Sequence, residues 1–435
     1  MKSKKITALL TAAVLTVSLL AGCSSGSGGG SSAGNSEYAG TKISFLNSKG
    51  EIQSGLEEMA EAFEKETGIV VDIMACGAGE VPYTKITSAY NSGTAPTMAM
   101  LDTTDIIALA EEYALDLSDA EWIGEAEAQI TRVNDKVYSF PFCVEGRGLI
   151  YNKTAIEDTL GTNFDACSFN SYDALKSLLE QLRAAGMENP VVISKEDWSL
   201  GAHQLGFIYD AYDGTTKGAD DIMAQLKGGL DPLEYARFNE FVDTLDLLLE
   251  YNINGKNPLG ALYEQDPIFL VDGDAAIWAN GVWAWPNLTD AGAESSDEYG
   301  FLPFVLGNDT SDFANNGIQA AASKQVMIDK VQASEQEQNA AKEFLNWIVY
   351  NETGQQMLVE TCAVIPACGN NKNEPLDPLG KDIQQKMADG KAFSSSFIAP
   401  SDHWSVMGAA MQKYIAKESS REELAQSLSG YWKAQ

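Results

Sequence analysis

Residues 42–74 read KISFLNSKGEIQSGLEEMAEAFEKETGIVVDIM and alternate between strand and helix patterns. Residues 42–46 place apolar side chains at every second position, which is typical of a strand with one buried face. Residues 69–74 form a second apolar strand, and Gly68 before them ends the intervening helix. That helix is indicated by apolar residues at helical spacing, namely Leu56, Met59, Ala60 and Phe63. The stretch therefore predicts a β-α-β unit.

The same alternation continues along the chain. Residues 97–101 and 148–151 have strand patterns, and residues 106–113 and 340–350 have helix patterns. Another helix is indicated by one apolar face, formed by Phe238, Phe241, Val242, Leu245, Leu248 and Leu249. Alternating strands and helices predict an open α/β fold, and such folds bind ligands in a crevice beyond the strand ends. At roughly 150 residues per domain, 435 residues predict two to three domains, and we expect two lobes.

The N-terminus has the pattern of an export signal. Three lysines in the first five residues precede residues 6–20, an apolar run of about 15 residues that is too short for a transmembrane helix. Residues 20–23, Leu-Ala-Gly-Cys, have the order of a bacterial lipoprotein box. The sequence predicts a lipoprotein signal peptide over 1–22, acylation of Cys23, and a flexible Ser/Gly-rich tether over 23–36. An ordinary signal peptide with a chance cysteine is the alternative.

The composition limits the possible ligands. The chain has 29 Lys and Arg against 62 Asp and Glu, a net charge of −33, and 45% of its residues are hydrophobic. Enough apolar residues are present for a globular core, so the chain does not have the composition of a disordered acidic protein. Removing the three lysines of the signal peptide leaves 26 basic against 62 acidic residues, or −36. Such a surface repels phosphate backbones, which argues against a nucleic-acid partner.

The usual markers of covalent, metal or cofactor chemistry are missing from the sequence. It has two histidines, no HExxH or CxxC spacing, and no glycine-rich phosphate loop between a strand and a helix. A G-x-S-x-G string over residues 22–26 spans the predicted cleavage site and is a chance match. We therefore predict no catalytic residue, metal ligand or cofactor. Five cysteines follow Cys23, and only Cys362 and Cys368 are close enough in sequence to suggest a disulfide.

Tryptophan is the strongest positive signal. Three of the eight tryptophans fall within residues 278–285. Asn280, after an apolar run, has the pattern of a helix N-cap, which would put Trp283 and Trp285 in the first turn, pointing in nearly opposite directions. Flat rings can cover the C–H faces of a sugar while carboxylates and amides bind its hydroxyl groups. Packing in the core is the alternative for each ring.

Several segments resemble the extracellular solute-binding proteins of ABC sugar importers, and among them the maltose-binding-protein-like members. Their order is shared over nearly 400 residues, which makes the resemblance specific although single pieces are weak. The similar segments are 47–50 (NSKG), 63–69 (FEKETGI), 141–153 (PFCVEGRGLIYNK), 273–277 (GDAAI), 279–287 (ANGVWAWPN), 342–347 (KEFLNW) and His403-Trp404.

The resemblance implies a periplasmic-binding-protein-like fold of two α/β lobes, joined by a three-crossing hinge, with the ligand cleft between them. The crossings are implied near Glu145, near residues 313–317 and near residues 362–368. The implied lobes are residues 37–144 with 317–363, and residues 146–312 with 369–435.

The resemblance also implies ligand contacts. Lys49 and Glu145 would bind hydroxyl groups of the ligand. Three tryptophans, Trp283, Trp404 and Trp198, would stack on its sugar rings. Tyr83 and Asp102 are implied only by their place in first-lobe loops. The alternatives are solvated charges for Lys49 and Glu145, and core packing for Trp404.

Two departures from the maltose type put maltose itself in doubt. The Asp-Arg pair of the first lobe is not evident in residues 102–105, and Gly408 stands where those members carry an arginine. The resemblance still implies a monomeric, lipid-anchored extracytoplasmic receptor that delivers a carbohydrate, such as an oligosaccharide, to ABC permease subunits. The open alternatives are an extracellular glycosidase with a carboxylate pair, and a receptor of the same fold for a polyamine, a peptide or a metal.

Overall fold

The computed structural model describes residues 36–77 and 80–435. The predicted signal peptide over 1–22, the predicted lipidation site Cys23 and all but the last residue of the 23–36 tether lie outside the described residues. None of the helices in the described ranges has both the length and the hydropathy needed to cross a membrane.

The described residues form twelve strands and seventeen α-helices, together with shorter 3₁₀ and π segments. The strands are β1 (Lys42–Asn47), β2 (Val70–Ala75), β3 (Met98–Asp102), β4 (Arg132–Val133), β5 (Lys136–Val137), β6 (Phe140–Asn152), β7 (Val191–Val192), β8 (Ile277–Gly281), β9 (Tyr299–Leu302), β10 (Ile318–Ile328), β11 (Ile365–Pro366) and β12 (Ala392–Phe393). The helices are α1 (Gln53–Thr67), α2 (Pro82–Ser92), α3 (Thr103–Tyr113), α4 (Ile123–Ala126), α5 (Lys153–Leu160), α6 (Tyr172–Ala184), α7 (Phe207–Asp210), α8 (Thr216–Lys227), α9 (Ala236–Glu250), α10 (Asp266–Val271), α11 (Trp285–Asp290), α12 (Phe313–Asn316), α13 (Glu335–Tyr350), α14 (Glu352–Glu360), α15 (Pro378–Ala388), α16 (His403–Ile415) and α17 (Arg421–Ala434).

One mixed sheet organises these elements in the order β2-β1-β3-β10-β6-β8-β7. Strands β9 and β11 also pair with β6, and β12 pairs with β10, whereas β4 and β5 form a separate hairpin. The predicted β-α-β unit is confirmed, because β1 and β2 are parallel with α1 between them in the chain. Helix α1 ends at Gly68, whose φ of 79° lies in the left-handed region that glycine adopts without strain.

Alternate residues of a strand enter different apolar clusters, so the sheet is covered on both faces. In β3, Met98 and Met100 enter the cluster that contains α1 and α13, and Ala99 and Leu101 enter the cluster that contains α2 and α3. We call these two clusters together the first core. A sheet covered on both faces needs nearly continuous apolar strands, which explains the sequence MAML in β3.

The other half of the sheet has the same construction. In β8, Ile277 and Ala279 enter a cluster with α6, α9 and α17, while Trp278 between them enters a cluster with α11 and α15. We call these two clusters together the second core. Each core thus has helices on both sides of its part of the sheet, which confirms the predicted α/β class.

The predicted helix N-cap at Asn280 is wrong. The apolar run before it is strand β8, and Asn280 and Gly281 complete that strand. The run is buried between two layers of helices, and such a strand cannot be told from a buried helix by periodicity alone. Trp283 lies in a short 3₁₀ turn, Val282–Ala284, and Trp285 begins α11.

Three segments carry residues of both cores. In β6, Phe140 packs in the first core and Ile150 in the second. In β10, Ala322 packs in the second core and Val326 in the first, and residues 362–368 also contribute to both. The chain therefore passes between the cores along these segments. The residue boundaries of the two lobes remain a prediction.

The suggested disulfide between Cys362 and Cys368 is wrong. Both thiols are free, as are Cys76, Cys143 and Cys167, the other cysteines within the described ranges. Strand β11 lies between the two residues, and extended chain carries its ends apart. Both side chains are buried in the first core, where they pack as small apolar groups.

Candidate functional site

Glu145 and Arg147 lie on the same side of β6, in the segment that passes between the two cores. Residues two apart in a strand share a face. Both side chains are only partly buried, whereas the residues next to them in the strand are fully buried. Gly146 between them faces helix α15, where a Cβ atom would approach the Ile383 side chain to 2.4 Å. The strand thus directs two charged groups to one side and packs tightly on the other.

Glu145 is the centre of a network of charged groups. Its Oε1 accepts a hydrogen bond from Lys49 Nζ at 2.5 Å, and its Oε2 accepts one from Ser323 Oγ. Lys49 Nζ also pairs with Glu51 Oε1 at 2.6 Å. A second pair, Lys324 Nζ with Asp102 Oδ1 at 2.8 Å, lies next to the first. We call these six residues, Lys49, Glu51, Asp102, Glu145, Ser323 and Lys324, the charged network.

Local structure fixes the members of this network. The Asn47 side chain accepts a hydrogen bond from the Lys49 N–H and donates one to the Lys49 carbonyl oxygen, at 2.8 and 2.9 Å. Strand β10 is irregular in its pairing with β6 around Lys324. Such bulges redirect side chains, and this one brings Ser323 and Lys324 to the side of Glu145.

The charges of Lys49 and Glu145 are stabilised by each other. Burial alone would raise the pKa of the Glu145 carboxyl, but the adjacent Lys49 and Lys324 outweigh it and lower the pKa to about 2. Burial alone would lower the pKa of Lys49, but Glu145 and Glu51 outweigh it and raise the pKa. Both groups are therefore ionised at neutral pH, although their side chains are only 4% and 10% exposed.

Four aromatic side chains form a continuous row beside the charged network. Ring centroids are 5.3 Å apart between Tyr263 and Trp198, 5.4 Å between Trp198 and His203, and 4.3 Å between His203 and Trp283. We call these residues the aromatic row. The Trp283 end of the row lies near the charged network. Gly281, two residues before Trp283, pairs in the sheet with Arg147, which is two residues after Glu145. Trp198 and Trp283 are partly buried, so a ligand could still contact each ring.

Helix α16 brings Trp404 to the same region. A Cβ atom on Gly201 would lie 2.2 Å from the Trp404 carbonyl oxygen, so the backbone that carries Trp404 touches the segment after Trp198. His403 before it is only 2% exposed and is hydrogen-bonded to Tyr209 Oη at 2.9 Å. His403 is therefore a core residue, and Trp404, which is partly buried, is the member of this pair that a ligand could contact.

The absence of an arginine at position 408 has a steric reason. A Cβ atom on Gly408 would lie 2.4 Å from the Asp197 carbonyl oxygen and 2.6 Å from its Cα atom. No side chain fits there without moving the segment that carries Trp198. The structure thus accounts for the departure from the maltose type at this position.

Gly408→Ala is expected to destabilise the fold by about 1–3 kcal/mol, because the added methyl group overpacks a contact between two backbones. Denaturant unfolding of the two proteins measures the difference. Gly430→Ala in α17 is the matched control, since a Cβ atom there meets no other atom within 4 Å. Equal stability of wild type and Gly408→Ala would contradict the close contact.

Unsatisfied polar atoms are concentrated in this region. Buried polar groups are nearly always hydrogen-bonded, so such atoms in a cluster call for a partner from outside the chain. The side chains around the site that have a buried polar atom without a partner in the described part of the chain are Ser48, Arg147, Glu196, His203, Gln204 and Trp283.

The structure brings most of the predicted ligand-binding residues together. Lys49, Asp102 and Glu145 belong to the charged network, and Trp198 and Trp283 belong to the aromatic row. Tyr83 packs against the part of the first core that contains α2 and α3, and its contact with a ligand remains a prediction. The sequence interpretation missed Arg147, which the two-residue strand spacing from Glu145 could have indicated. It also missed His203, Tyr263, Ser323 and Lys324.

Two further observations concern other types of site. Within residues 36–77 and 80–435, no group of three or more His, Cys, Asp or Glu side chains has an arrangement that could hold a metal ion. A separate open groove of about 590 Å³ lies between α9 and the start of α17. Among its charged residues, Arg421 pairs with Asp246, and Glu250 pairs with Arg183, which lies outside the groove.

Comparison with known proteins identifies the fold and the family of the chain. The chain is 26% identical over 404 residues to the multiple sugar-binding protein of Streptococcus mutans, a match that covers 88% of this chain and 87% of that protein. It is similar to the structure of the solute-binding protein RafE in complex with raffinose, with a TM-score of 0.71, 19% identity, and coverage of 91% and 99% of the two chains. It is also similar to a Bacillus licheniformis sugar transporter protein in complex with stachyose, with a TM-score of 0.68, 16% identity, and coverage of 91% and 100%.

The structural similarities confirm the fold of two α/β lobes, and a family match identifies the chain more closely. The family of bacterial extracellular solute-binding proteins matches residues 58–384, which is most of the chain. That range includes the charged network, except for Lys49 and Glu51, and the whole aromatic row. The resemblance drawn from the sequence segments is confirmed. The chain belongs to the bacterial extracellular solute-binding proteins.

Proposed function

We propose that this protein is a receptor that captures an oligosaccharide outside the cytoplasm and delivers it to an ABC importer. The observation that supports this most strongly is the pairing of the aromatic row with the charged network. Partly buried rings can cover the C–H faces of a sugar, and adjacent carboxylates and ammonium groups can bind its hydroxyl groups. Raffinose and stachyose, bound to the two similar structures, are ligands of this chemical class.

The proposed mechanism is closure of two lobes around the ligand. We assign the lobes to residues 37–144 with 317–363, and to residues 146–312 with 369–435. Lys49 and Asp102 would contact the ligand from the first lobe, and Trp198, Trp283 and Trp404 from the second, with Glu145 at the crossing. A ligand that binds both lobes has higher affinity for the closed state and therefore shifts the equilibrium toward it.

Glu145 is unsuited to act as the general acid of a glycosidase. A general acid for glycoside hydrolysis needs a carboxyl group whose pKa is raised. The pKa of Glu145 is instead lowered to about 2, against the effect of burial, by Lys49 and Lys324. Because the chain also belongs to a family of solute-binding proteins, we propose that it binds its ligand without cleaving it.

A polyamine is disfavoured because the carboxylates of the charged network already have partners. Glu51 and Glu145 pair with Lys49, and Asp102 pairs with Lys324. A polycationic ligand would have to displace these lysines to reach a carboxylate. An uncharged ligand rich in hydroxyl groups can accept from the ammonium groups and donate to the carboxylates without displacing them.

The proposal is tested with purified protein and a panel of α- and β-linked oligosaccharides. Calorimetry should show micromolar or tighter binding of at least one glycan, and the intrinsic Trp fluorescence should change on binding because Trp198 and Trp283 are partly buried in the site. Chromatography of the same mixtures should show the glycans intact. Failure of the whole panel to bind would refute the sugar assignment, and release of shorter sugars would refute the binding role.

The imidazole of His203 is expected to stay uncharged between about pH 5 and 8. Burial and Arg147 lower the pKa of His203 to about 3, although Glu145 opposes this. The pH dependence of the histidine ring signals in NMR measures the pKa of this group directly. A titration of the His203 signals with a midpoint near 6.5 would contradict the expected neutral state.

We further propose that the mature protein is a monomer attached to the bacterial cell membrane by acyl chains on Cys23, with residues 23–36 as a tether. Cys23→Ala is expected to abolish incorporation of a labelled fatty acid and to move the protein from the membrane fraction to the soluble fraction. Cys167→Ala, which changes an exposed thiol, is the matched control. Equal labelling of the wild type and Cys23→Ala would contradict lipidation at this residue.

A further inference from the structure

A single turn of π-helix, Ser199–Gln204, which we call the π-turn, follows Trp198 of the aromatic row and contains His203 of the same row. In it the N–H of Leu205 donates to the carbonyl oxygen of Leu200, five residues earlier, at 3.0 Å. Such turns are rare and occur frequently at functional sites. Helix α16 packs directly against the π-turn at Gly201, where a Cβ atom would lie 2.5 Å from the Gly408 nitrogen in α16. The widened turn is therefore held in a fixed position by its neighbour.

The π-turn presents His203 to the site. The His203 ring lies between Trp198 and Trp283, with centroid distances of 5.4 and 4.3 Å. Its Nδ1 atom is buried and has no hydrogen-bond partner in the described part of the chain. The next residue, Gln204, is 3% exposed, and both polar atoms of its amide also have no partner there. Two consecutive side chains of the turn thus have unsatisfied polar atoms.

We propose that His203 is a specificity-determining residue whose imidazole binds a hydroxyl group of the oligosaccharide. This inference rests on the proposed function. The side chain is partly buried and its Nδ1 atom is covered, so a ligand reaches this nitrogen when the ring turns about its Cβ–Cγ bond. Contact with the two tryptophans limits the orientations of the ring, so the nitrogen can bind a hydroxyl group at only a few places relative to a sugar ring stacked on Trp283. A sugar whose hydroxyl group points elsewhere leaves the nitrogen unsatisfied, which lowers its affinity. His203 thereby selects between epimers.

Two substitutions separate hydrogen bonding from packing. His203→Phe keeps an aromatic ring between the tryptophans but removes both nitrogens, whereas His203→Asn loses the ring but keeps a polar atom near the place of Nδ1. We expect His203→Phe to weaken binding of the best glycan at least about 10-fold, the effect of one lost hydrogen bond to a ligand. His203→Asn should retain more of the affinity than His203→Phe. The reverse order would show that His203 acts through ring packing and would overturn the inference.

Histidine NMR provides a second readout. The chain has only two histidines, so imidazole-labelled protein gives two sets of ring signals, assigned with His203→Phe. The glycan should shift the nitrogen signals of His203 and leave those of His403, in the core beside Tyr209, unchanged. Unchanged His203 signals on saturation would overturn the inference. If no glycan of the panel binds the wild type, the proposed function fails instead, which is a different result from binding that does not depend on His203.

Discussion

Trp283→Ala is expected to weaken glycan binding at least about 30-fold while changing the melting temperature of the free protein by only a few degrees. Trp283 lies in the 3₁₀ turn after β8, its ring is partly buried, and its Nε1 atom has no partner in the described part of the chain. Such a ring contributes more to binding than to folding, because the ligand rather than the core completes its burial. Loss of one aromatic anchor from a binding site typically costs about 2–4 kcal/mol.

Trp285, two residues away, is the matched control for Trp283. It is 8% exposed and packs in the second core beside Tyr299, with ring centroids 6.0 Å apart. Trp285→Ala should therefore lower the free energy of unfolding by about 3–5 kcal/mol, the usual cost of removing a buried Trp side chain. Calorimetry with the glycan and thermal unfolding without it give both quantities for each variant. A collapse of stability in Trp283→Ala would instead place that ring in the core.

Glu145→Gln is expected to have the second large effect, on both binding and stability. It removes the negative charge that pairs with Lys49 and leaves a buried ammonium group whose remaining anionic partner is Glu51. Breaking a buried ion pair on one side typically costs about 3–5 kcal/mol, and the remaining contact with Glu51 favours the lower end of that range. Glycan affinity should fall by about 10- to 100-fold, because the amide retains one acceptor oxygen but lacks the charge that strengthens hydrogen bonds from ligand hydroxyl groups.

The double variant Lys49→Met with Glu145→Gln separates the two effects. With both charges removed, stability should return to within about 1 kcal/mol of the wild type, while glycan binding stays as weak as in Glu145→Gln. Recovery of binding in the double variant would contradict a direct contact with the ligand.

The pKa of Glu145 in the folded protein is about 2, below its ordinary value of 4.5, so its contribution to stability is complete above pH 4.5 and is lost as the pH falls toward 2. The difference in the free energy of unfolding between wild type and Glu145→Gln should shrink in the same range.

The sequence predicted the fold where the apolar pattern had a clear period. Strand β1, helix α1 and strand β2 follow directly from alternation, helical spacing and Gly68. The prediction failed at β8, because a strand covered on both faces has no alternation and resembles a buried helix segment. The disulfide prediction failed because nearness in sequence says nothing about distance when an extended strand lies between the two residues.

The candidate site was only partly predictable. Lys49, Glu145 and Trp283 lie in segments whose resemblance to the family is local and could be read from the sequence. Lys324 and Ser323 reach Glu145 only through the pairing of β10 with β6, across more than 170 residues, and a bulge directs them there. His203 reaches Trp283 through a π-turn, which has no sequence signature. The missed residues thus depend on long-range pairing and local irregularity.

A crystal structure of the protein with the best glycan of the panel tests the central claim most directly. We predict a sugar ring stacked on the face of Trp283 and a ligand hydroxyl group within hydrogen-bond distance of the Glu145 carboxylate. A glycan bound elsewhere, such as in the groove beside Tyr414 and Arg421, with the charged network and the aromatic row unchanged, would contradict the account.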